Sequence, residues 1–250
     1  MKVSVSIVSH GQGELVDALL EDLKQHCDTV TEVLLTINIQ EELPFLLNDF
    51  PFQIRVIKNE QARGFAENHN AAFKMALCDF FCVLNPDIRL DNNPFPALLN
   101  CIENGKIGIA APRVINSDGN LEDNARPFPT PLTILAKSLR LNATTYPANH
   151  EELFPDWVAG MFMLFPAGVY REMNGFDDGY FLYYEDVDIC ARLSLAGYHV
   201  AWCSEATVVH NAQRASHNNL KYFFWHLKSI TRFFFSSVYW RIRRLSSKTV

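Results

Sequence analysis

Short apolar runs alternate with segments of helical periodicity in the first part of this chain, and that alternation limits the fold more than any other feature. Residues 14–26 and 65–77 carry apolar side chains at helical spacing. Strands that alternate with helices predict an α/β fold, in which helices flank a mostly parallel central sheet and ligands bind at the carboxyl ends of its strands. The apolar, partly β-branched runs predict strands over 3–8, 33–39, 52–57 and 80–84.

The pattern is less regular beyond residue 108. Turn-forming residues at 116–120 predict a hairpin, and five prolines between 124 and 156 predict a long loop. Gly197 is suited to the end of a helix, because glycine adopts the left-handed conformation found there. The other elements predicted in this part are strands over 107–111, 158–165 and 200–209 and helices over 132–139 and 187–196.

Charge is distributed unevenly along the chain. The 250 residues include 22 Lys and Arg against 28 Asp and Glu, and this net acidity argues against a nucleic-acid partner. From Asn211 onward there are eight basic and no acidic residues, so residues 1–210 carry 14 minus 28, or −14. Nine aromatic residues between Tyr222 and Trp240 accompany the basic ones. The tail is therefore predicted either to contact an anionic membrane interface or to pack on the body or across a homodimer.

The cysteines and the apolar stretches give an expectation about the compartment. Six cysteines include no C-x-x-C pair, and no basic segment followed by an apolar run opens the chain. The longest nearly apolar stretch, 157–170, is shorter than the roughly 20 residues that span a bilayer. We expect a reduced, cytosolic protein whose cysteines lie in the core and which has no transmembrane helix.

Asn85-Pro86-Asp87 follows directly on the predicted strand 80–84. A carboxylate at the exposed end of a buried strand can bind a hard divalent cation that also contacts substrate phosphates. The alternative is a plain turn, since Asn, Pro and Asp all favour turns. His210, at the end of another apolar run, could complete such a metal site or serve a structural role.

Five acids stand among aromatic residues between positions 177 and 188. Carboxyl groups crowded beside apolar rings are expected to have raised pKa values, which suits a general base. Acids also favour the first turn of a helix, but five exceed what capping requires. Other catalytic motifs are weak or missing: Val16 replaces the third glycine of a dinucleotide fingerprint, and phosphate-loop, zinc-protease and serine-hydrolase motifs are absent.

Taken together, these segments resemble the family-two inverting glycosyltransferases of the GT-A fold, and most of all their bacterial rhamnosyltransferase-like branch. The resemblance covers about residues 3–235. It implies a single GT-A domain over 1–215, with a nucleotide-binding half at 1–115 and an acceptor half at 116–215. A basic aromatic helical tail would follow at 216–250.

The resemblance also assigns roles to individual residues. Asp186 is the expected catalytic base, with Glu185 as its neighbour. Asp87 and His210 are the expected ligands of a divalent metal, Mn or Mg. Asn38 stands where many members carry a nucleotide-recognising Asp, and its amide can still hydrogen-bond a pyrimidine. The complete set of expected donor-binding residues is Ser9, His10, Asn38, Gly64, Phe65, Asn68, Asn70, Asn85, Asp87, Trp157 and Arg214.

The implied activity is transfer of a sugar, with inversion, from a nucleotide-diphosphate donor to a hydroxyl of a glycan or lipid-linked acceptor. Rhamnose from dTDP-rhamnose is the first expectation for the donor, and bacterial surface polysaccharide synthesis at the inner face of the cell membrane is the expected setting. Two other hypotheses stay open at this point, a nucleotidyltransferase and a non-catalytic sugar-nucleotide-binding subunit.

Overall fold

The computed structural model describes residues 1–103, 105–138, 152–211 and 220–246. Its strands are β1 (Val3–Ser9), β2 (Val30–Ile37), β3 (Gln53–Lys58), β4 (Phe80–Leu84), β5 (Ile88–Arg89), β6 (Ile107–Asn116), β7 (Ala125–Arg126), β8 (Glu152–Leu153), β9 (Trp157–Val158), β10 (Phe162–Pro166) and β11 (His199–His210). Its α-helices are α1 (Gly13–His26), α2 (Phe65–Phe73), α3 (Phe95–Glu103), α4 (Pro131–Ser138), α5 (Ala167–Glu172), α6 (Glu185–Leu195), α7 (Leu220–Phe235) and α8 (Ser237–Ser246).

One large sheet organises these elements, in the order β3-β2-β1-β4-β10-β6-β11-β5, with β8 paired to β11. The predicted parallel arrangement is confirmed for β1 to β4 and for the pair of β6 and β11. Strands β10, β5 and β8 pair antiparallel to their neighbours. Strands β7 and β9 form a separate antiparallel pair beside the large sheet.

The strand order places a crevice at the carboxyl ends of β1 and β4. The chain runs from β1 outward through β2 to β3 and then returns to place β4 on the other side of β1. The carboxyl ends on either side of such a reversal are where open α/β sheets bind ligands. We therefore expect ligand-binding residues in the loops after β1 and β4.

The apolar core covers both faces of the sheet. On one face α1 buries Val16, Leu19, Leu20 and Leu23 completely, at the spacing of one helical stripe. On the other face α2, α5 and α6 pack together with residues of α7 and α8 such as Phe233. Complete burial of a leucine contributes about 1.5 to 3 kcal/mol, so these helices hold the strand ends in place.

The predicted strand at 158–165 is interrupted in the structure. Residues 159–161 leave the strand direction between β9 and β10 because their amides bond elsewhere. The Ala159 N–H donates to Asn124 O at 2.9 Å, and the Gly160 N–H donates to an Asp186 carboxylate oxygen at 3.2 Å. The interruption thus brings backbone donors to the start of α6.

Two helices also differ from their predicted bounds. Helix α2 ends at Phe73 rather than near 77, because the Met75 and Ala76 amides turn back onto Ala72 and Phe73 in a tighter turn. Helix α6 begins at Glu185, two residues before the predicted 187. Gly197 has φ +79° just after this helix, as its predicted place at the helix end requires.

The cysteines depart in part from the expectation of six reduced thiols. Cys101 in α3 and Cys203 in β11 form a disulfide, because helix and strand pack against each other there. Cys27, Cys82 and Cys190 are buried free thiols, as a core role predicts. None of the helices in the described ranges is long and apolar enough to cross a membrane.

Candidate active site

A cavity of about 710 Å³ opens beside the start of α6. Its volume lies within the usual range for sites that bind small molecules. Segments distant in sequence form its wall, including the loop after β4, the 159–161 segment and the helices α4, α6 and α7. Among the residues singled out from the sequence, the cavity brings together Phe65, Asn85, Trp157, Glu185, Asp186 and His210.

Asp186 is held at the cavity wall by two backbone donors. One carboxylate oxygen accepts from the Val187 N–H at 2.8 Å and the other from the Gly160 N–H at 3.2 Å. Burial raises the pKa of this carboxyl group above its ordinary value, against the effect of these two N–H donors. The group is therefore oriented and is a stronger base than a solvated aspartate.

Glu185 lies deeper, with 5% of its surface exposed. Its Oε2 atom has no hydrogen-bond partner among the described residues. Burial and the neighbouring charge of Asp186 both raise its pKa. Glu185 therefore holds its proton to a higher pH than an ordinary glutamate does.

Two tyrosines in the left-handed conformation precede this carboxyl pair. Tyr183 has φ +70° and Tyr184 has φ +69°, a conformation that costs a bulky residue about 1 to 3 kcal/mol. Their rings lie 5.3 and 5.7 Å from the ring of His226 in α7. Packing against α7 therefore maintains the strained turn that aims Glu185 and Asp186 into the cavity.

A close backbone contact joins the loop before α2 to this same turn. The Phe65 N–H donates to Phe181 O at 2.9 Å. A Cβ atom added to Gly64 would lie 2.5 Å from that oxygen, so only glycine permits the approach. Gly64 and Phe65, predicted as donor-binding residues, thus lie beside the segment that leads to Glu185 and Asp186.

Asp87 and His210 meet near the cavity. The Nε2 atom of His210 lies 3.2 Å from Asp87 Oδ2, and its Nδ1 atom lies 2.7 Å from Glu122 Oε2. Burial alone would lower the pKa of His210, but the bonds and charges of Asp87 and Glu122 raise it to about 9. Glu122 was missed in the sequence because its partner lies 88 positions away.

Asp87 can offer a cation an oxygen ligand, whereas His210 would have to release the proton that its raised pKa retains before Nε2 could bind a metal. The Oδ1 atom of Asp87 is buried and has no partner among the described residues, so it can accept a ligand bond. No group of three or more His, Cys, Asp or Glu with the arrangement of a complete metal site occurs in the part of the chain that the structure describes. Two protein ligands suit a site in which phosphate oxygens complete the coordination.

A second polar cluster lies at the carboxyl ends of β1, β2 and β3. The Asn38 side chain contacts His10 Nδ1 at 3.1 Å and accepts from the Arg63 N–H at 2.8 Å and from Asn59 Nδ2 at 2.9 Å. Asn59 also donates to Asn68 Oδ1 at 2.7 Å. None of these described residues lines the cavity. The predicted nucleotide residues Asn38, His10 and Asn68 thus form one network.

Sequence reasoning missed Asn59 and Arg63 in this network. Asn59 directly follows β3, just as Asn38 follows β2 and Asn85 follows β4. A polar residue immediately after a strand was the signal that could have found it. At the end of β1, the predicted Ser9 accepts through Oγ from the Gln12 N–H at 3.2 Å.

Asn70 serves a structural purpose in these contacts. Its Oδ1 accepts from the Tyr170 hydroxyl at 2.7 Å and the Phe176 N–H at 3.0 Å, and its Nδ2 donates to Phe176 O at 2.8 Å. Gly175 has φ +68°, and an added Cβ there would lie 2.2 Å from Asn70 Oδ1. The amide is thus engaged within the protein, and the donor-binding role expected of Asn70 stays a prediction.

His69 and Trp157 are also engaged by the fold. His69 Nδ1 lies 2.8 Å from the Ser6 hydroxyl, and burial lowers the pKa of this histidine to about 3, so its ring is neutral. Trp157 lines the cavity and donates through Nε1 to Pro127 O at 2.9 Å. Arg214, expected near the diphosphate, lies outside the described residues.

Comparison with known proteins gives a consistent set of relatives. The family model for glycosyl transferase family 2 matches residues 4–163. Rhamnosyltransferase WbbL of Escherichia coli (strain K12) is 30% identical over 247 residues, which cover 92% of each chain. An N-acetylglucosaminyl-diphospho-decaprenol L-rhamnosyltransferase of Mycobacterium tuberculosis (strain ATCC 25618 / H37Rv) is 28% identical over 144 residues, 53% of this chain and 47% of that one.

Among solved structures, GalNAc-T7 with UDP, GalNAc and Mn²⁺ aligns with a TM-score of 0.66 at 17% identity. The alignment covers 87% of this chain and 44% of that one. At this level of identity the likeness concerns the fold.

Proposed function

The chain belongs to glycosyl transferase family 2 and has the GT-A fold, and from that membership we propose that it transfers rhamnose from dTDP-rhamnose. The proposed acceptor is a hydroxyl of a glycan or a lipid-linked sugar in bacterial surface polysaccharide synthesis. The names of both rhamnosyltransferase relatives support the sugar, and the decaprenol-linked sugar in one name supports the acceptor class. The observation that carries the proposal is the placement of Asp186 at the cavity wall on two backbone donors.

The proposed reaction is a single displacement that inverts the anomeric carbon. An acceptor hydroxyl oxygen attacks that carbon while Asp186 takes the hydroxyl proton. The bond from the anomeric carbon to the diphosphate breaks, and its electron pair leaves with the nucleoside diphosphate. The raised pKa of Asp186 brings the base nearer to the operating pH, where general-base catalysis is most effective.

Asp87 and His210 would hold a divalent cation, Mn²⁺ or Mg²⁺, whose charge stabilises a diphosphate leaving group when it is bound. The unpartnered Oδ1 of Asp87 supports this assignment, since a buried carboxylate oxygen without a donor costs free energy unless a ligand satisfies it. Glu122 orients the imidazole through Nδ1, as second partners of metal-binding histidines commonly do.

The Asn38 network is proposed to recognise the base and ribose of the donor. His10, Asn38 and Asn68 share hydrogen bonds at the ends of the parallel strands, and Ser9 and Gly64 adjoin them. In this proposal residues 1–115 bind the nucleotide and residues 116–215 receive the acceptor, with Asn85, Trp157 and Arg214 near the donor sugar and diphosphate. Part of the tail at 216–250 packs on the body through buried residues such as Phe233 and Tyr239. Its exposed side is proposed to contact the inner face of the cell membrane, and a homodimer is the competing role.

The metal assignment predicts a loss of metal-dependent donor binding in Asp87→Ala. Calorimetry of the wild-type protein should show tighter donor binding with Mn²⁺ than without it, and the variant should show one weak affinity under both conditions. Asp91→Asn, which changes an exposed acid just beyond β5, is the matched control. An Asp87→Ala variant that keeps the full Mn²⁺ effect would contradict the assignment.

A thermal-shift panel tests the function itself. dTDP-rhamnose, UDP-galactose, UDP-galactofuranose, UDP-glucose and GDP-mannose are each compared with and without Mn²⁺ or Mg²⁺. A ligand at 100 times its dissociation constant stabilises the folded state by about 2.7 kcal/mol, and we expect this for dTDP-rhamnose with metal. Turnover should then release dTDP. Pyrophosphate release would instead indicate a nucleotidyltransferase, and binding without turnover on any acceptor would indicate a non-catalytic subunit.

A further inference from the structure

Helix α7 presents apolar side chains on two faces. Its inner face buries Ser229 and Phe233, and Ser229 donates to Leu182 O at 2.8 Å beside the strained turn. Its outer face exposes large apolar side chains at the spacing of a second stripe. These residues and their exposed fractions are Leu220 (76%), Phe223 (61%), Phe224 (62%) and Leu227 (49%). An apolar stripe left exposed beside a packed one indicates a contact outside the chain.

Helix α4 likewise has one face toward the cavity and apolar side chains exposed on another face. Thr133, Ile134 and Ala136 line the cavity, whereas Leu132 and Leu135 are 77% and 56% exposed. Helix α7 contributes His226 to the same cavity wall. Two of the helices that line the cavity, α4 and α7, therefore carry exposed leucine or phenylalanine side chains.

The charged residues on α7 and α8 are all basic, and one of them, Arg232, pairs with Asp177 of the body. Residues 220–246 contain six basic residues and no acidic one. Lys221 and Lys228 lie on α7, and Arg241, Arg243 and Arg244 are exposed on α8 near the exposed Trp240. Basic residues flanking aromatic and aliphatic ones are the composition that binds anionic lipid interfaces.

We propose that the exposed faces of α4 and α7, assisted by the basic face of α8, dock on an anionic bilayer and set the cavity beside the lipid headgroups. The proposal rests on the proposed function in one respect, since a lipid-linked acceptor would then reach Asp186 without leaving the membrane. Charge favours the bilayer over a second copy of the chain. A two-fold contact through this surface would place one basic tail against another.

Vesicle co-sedimentation of the full chain tests the proposal. The probes are phosphatidylcholine vesicles with and without phosphatidylglycerol, and wild type should bind the anionic vesicles at least about tenfold more tightly. The double variants Leu132→Asp/Leu135→Asp and Phe223→Asp/Phe224→Asp should each weaken this binding by about tenfold or more. Leu46→Asp is the matched control, because Leu46 is 71% exposed and does not line the cavity.

Equal binding to the two vesicle types would overturn the proposal, and this wild-type measurement does not depend on how any variant folds. Variants that bind like Leu46→Asp would overturn it as well. A phenylalanine variant that becomes monomeric while vesicle binding persists would assign the surface to a second copy. Asp186→Asn should retain full vesicle binding, and the docking variants should retain turnover on a lipid-free acceptor. A failure of the transferase function is therefore distinguishable from a failure of the docking surface.

Discussion

Two glutamates at opposite ends of the parallel strands are buried to a similar extent but differ in their hydrogen-bond partners. Glu32 is 3% exposed and Glu185 is 5% exposed. Glu32 accepts from the Ser4 hydroxyl, from the Leu77 N–H at 2.6 Å and from Arg55. Glu185 leaves Oε2 without a partner among the described residues and adjoins a second carboxylate instead.

The pKa shifts of the two groups follow from these partners. Burial alone would raise the pKa of Glu32, but its hydrogen bonds and the charge of Arg55 bring it below the ordinary value. Burial and Asp186 raise the pKa of Glu185. A fully bonded buried acid stabilises the fold, whereas an incompletely bonded one at a cavity is available to a ligand. Glu32 thus stabilises the amino ends of the strands, whereas Glu185 lies at the cavity for which chemistry is proposed.

The largest effect that tests this comparison is expected at Asp186. Asp186→Asn keeps the shape of the side chain and removes the base, so turnover of dTDP-rhamnose should fall by about 10² to 10⁴ while donor affinity persists. Release of dTDP and calorimetric donor binding are the two measurements. Asp178→Asn, an exposed acid in the same acidic run, should leave both unchanged. Normal turnover in Asp186→Asn would remove this residue from the proposed mechanism.

The next effect concerns stability at the amino ends. Glu32→Gln leaves the half-buried Arg55 guanidinium without its charge partner, and the free energy of unfolding in urea should fall by roughly 3 kcal/mol. The control Glu21→Gln removes an exposed pair with Lys24 and should cost less than about 1 kcal/mol. Equal losses in the two variants would show that the buried network adds nothing to stability.

The smallest effect is expected in Glu185→Gln, which should change the free energy of unfolding at pH 7 by no more than about 1 kcal/mol. The informative readout is its pH dependence. The raised pKa means that the native state binds more protons than the unfolded state, so Glu185 makes stability fall as pH rises from the ordinary glutamate range through the raised pKa.

Glu32 changes the free energy of unfolding with pH in the opposite direction. Its lowered pKa contributes stability above the unfolded value, and that contribution is lost as pH falls through the folded value. Urea titrations across pH should therefore show a shallower descending slope near neutrality in Glu185→Gln, where His210 with its own raised pKa still contributes, and a weaker acidic slope in Glu32→Gln. A Glu185→Gln profile parallel to that of wild type near neutrality would contradict the raised pKa.

Periodicity was enough to predict most of the strands and helices, because the buried stripes of α1 and the apolar runs of β1 to β4 are visible in the sequence itself. The interruption at 159–161 was not predictable. It depends on the Gly160 N–H reaching Asp186, a contact between positions 26 apart that no local pattern records.

The sequence singled out Asp87 and His210 by residue type and position, and Asp186 through the family resemblance. Their roles stay predictions, and their hydrogen-bond partners were only partly predictable. The bond from His210 to Glu122 depends on the fold that brings the end of β11 beside the segment after β6. Likewise, no sequence pattern shows that the Asn70 amide is bonded by Tyr170 and Phe176.

The contact between Gly64 and the Phe181 backbone bears on how such enzymes can be recombined. The matched family region ends at residue 163, so the segment with Phe181 and Asp186 lies beyond it. A chimera that joins a new C-terminal portion to this N-terminal one must keep glycine at position 64. It must also keep a backbone carbonyl oxygen where Phe181 O lies. Exchange of segments between relatives therefore requires that both partners of this backbone contact be inherited together, along with the strand pairs β4–β10 and β6–β11 that also join the two portions.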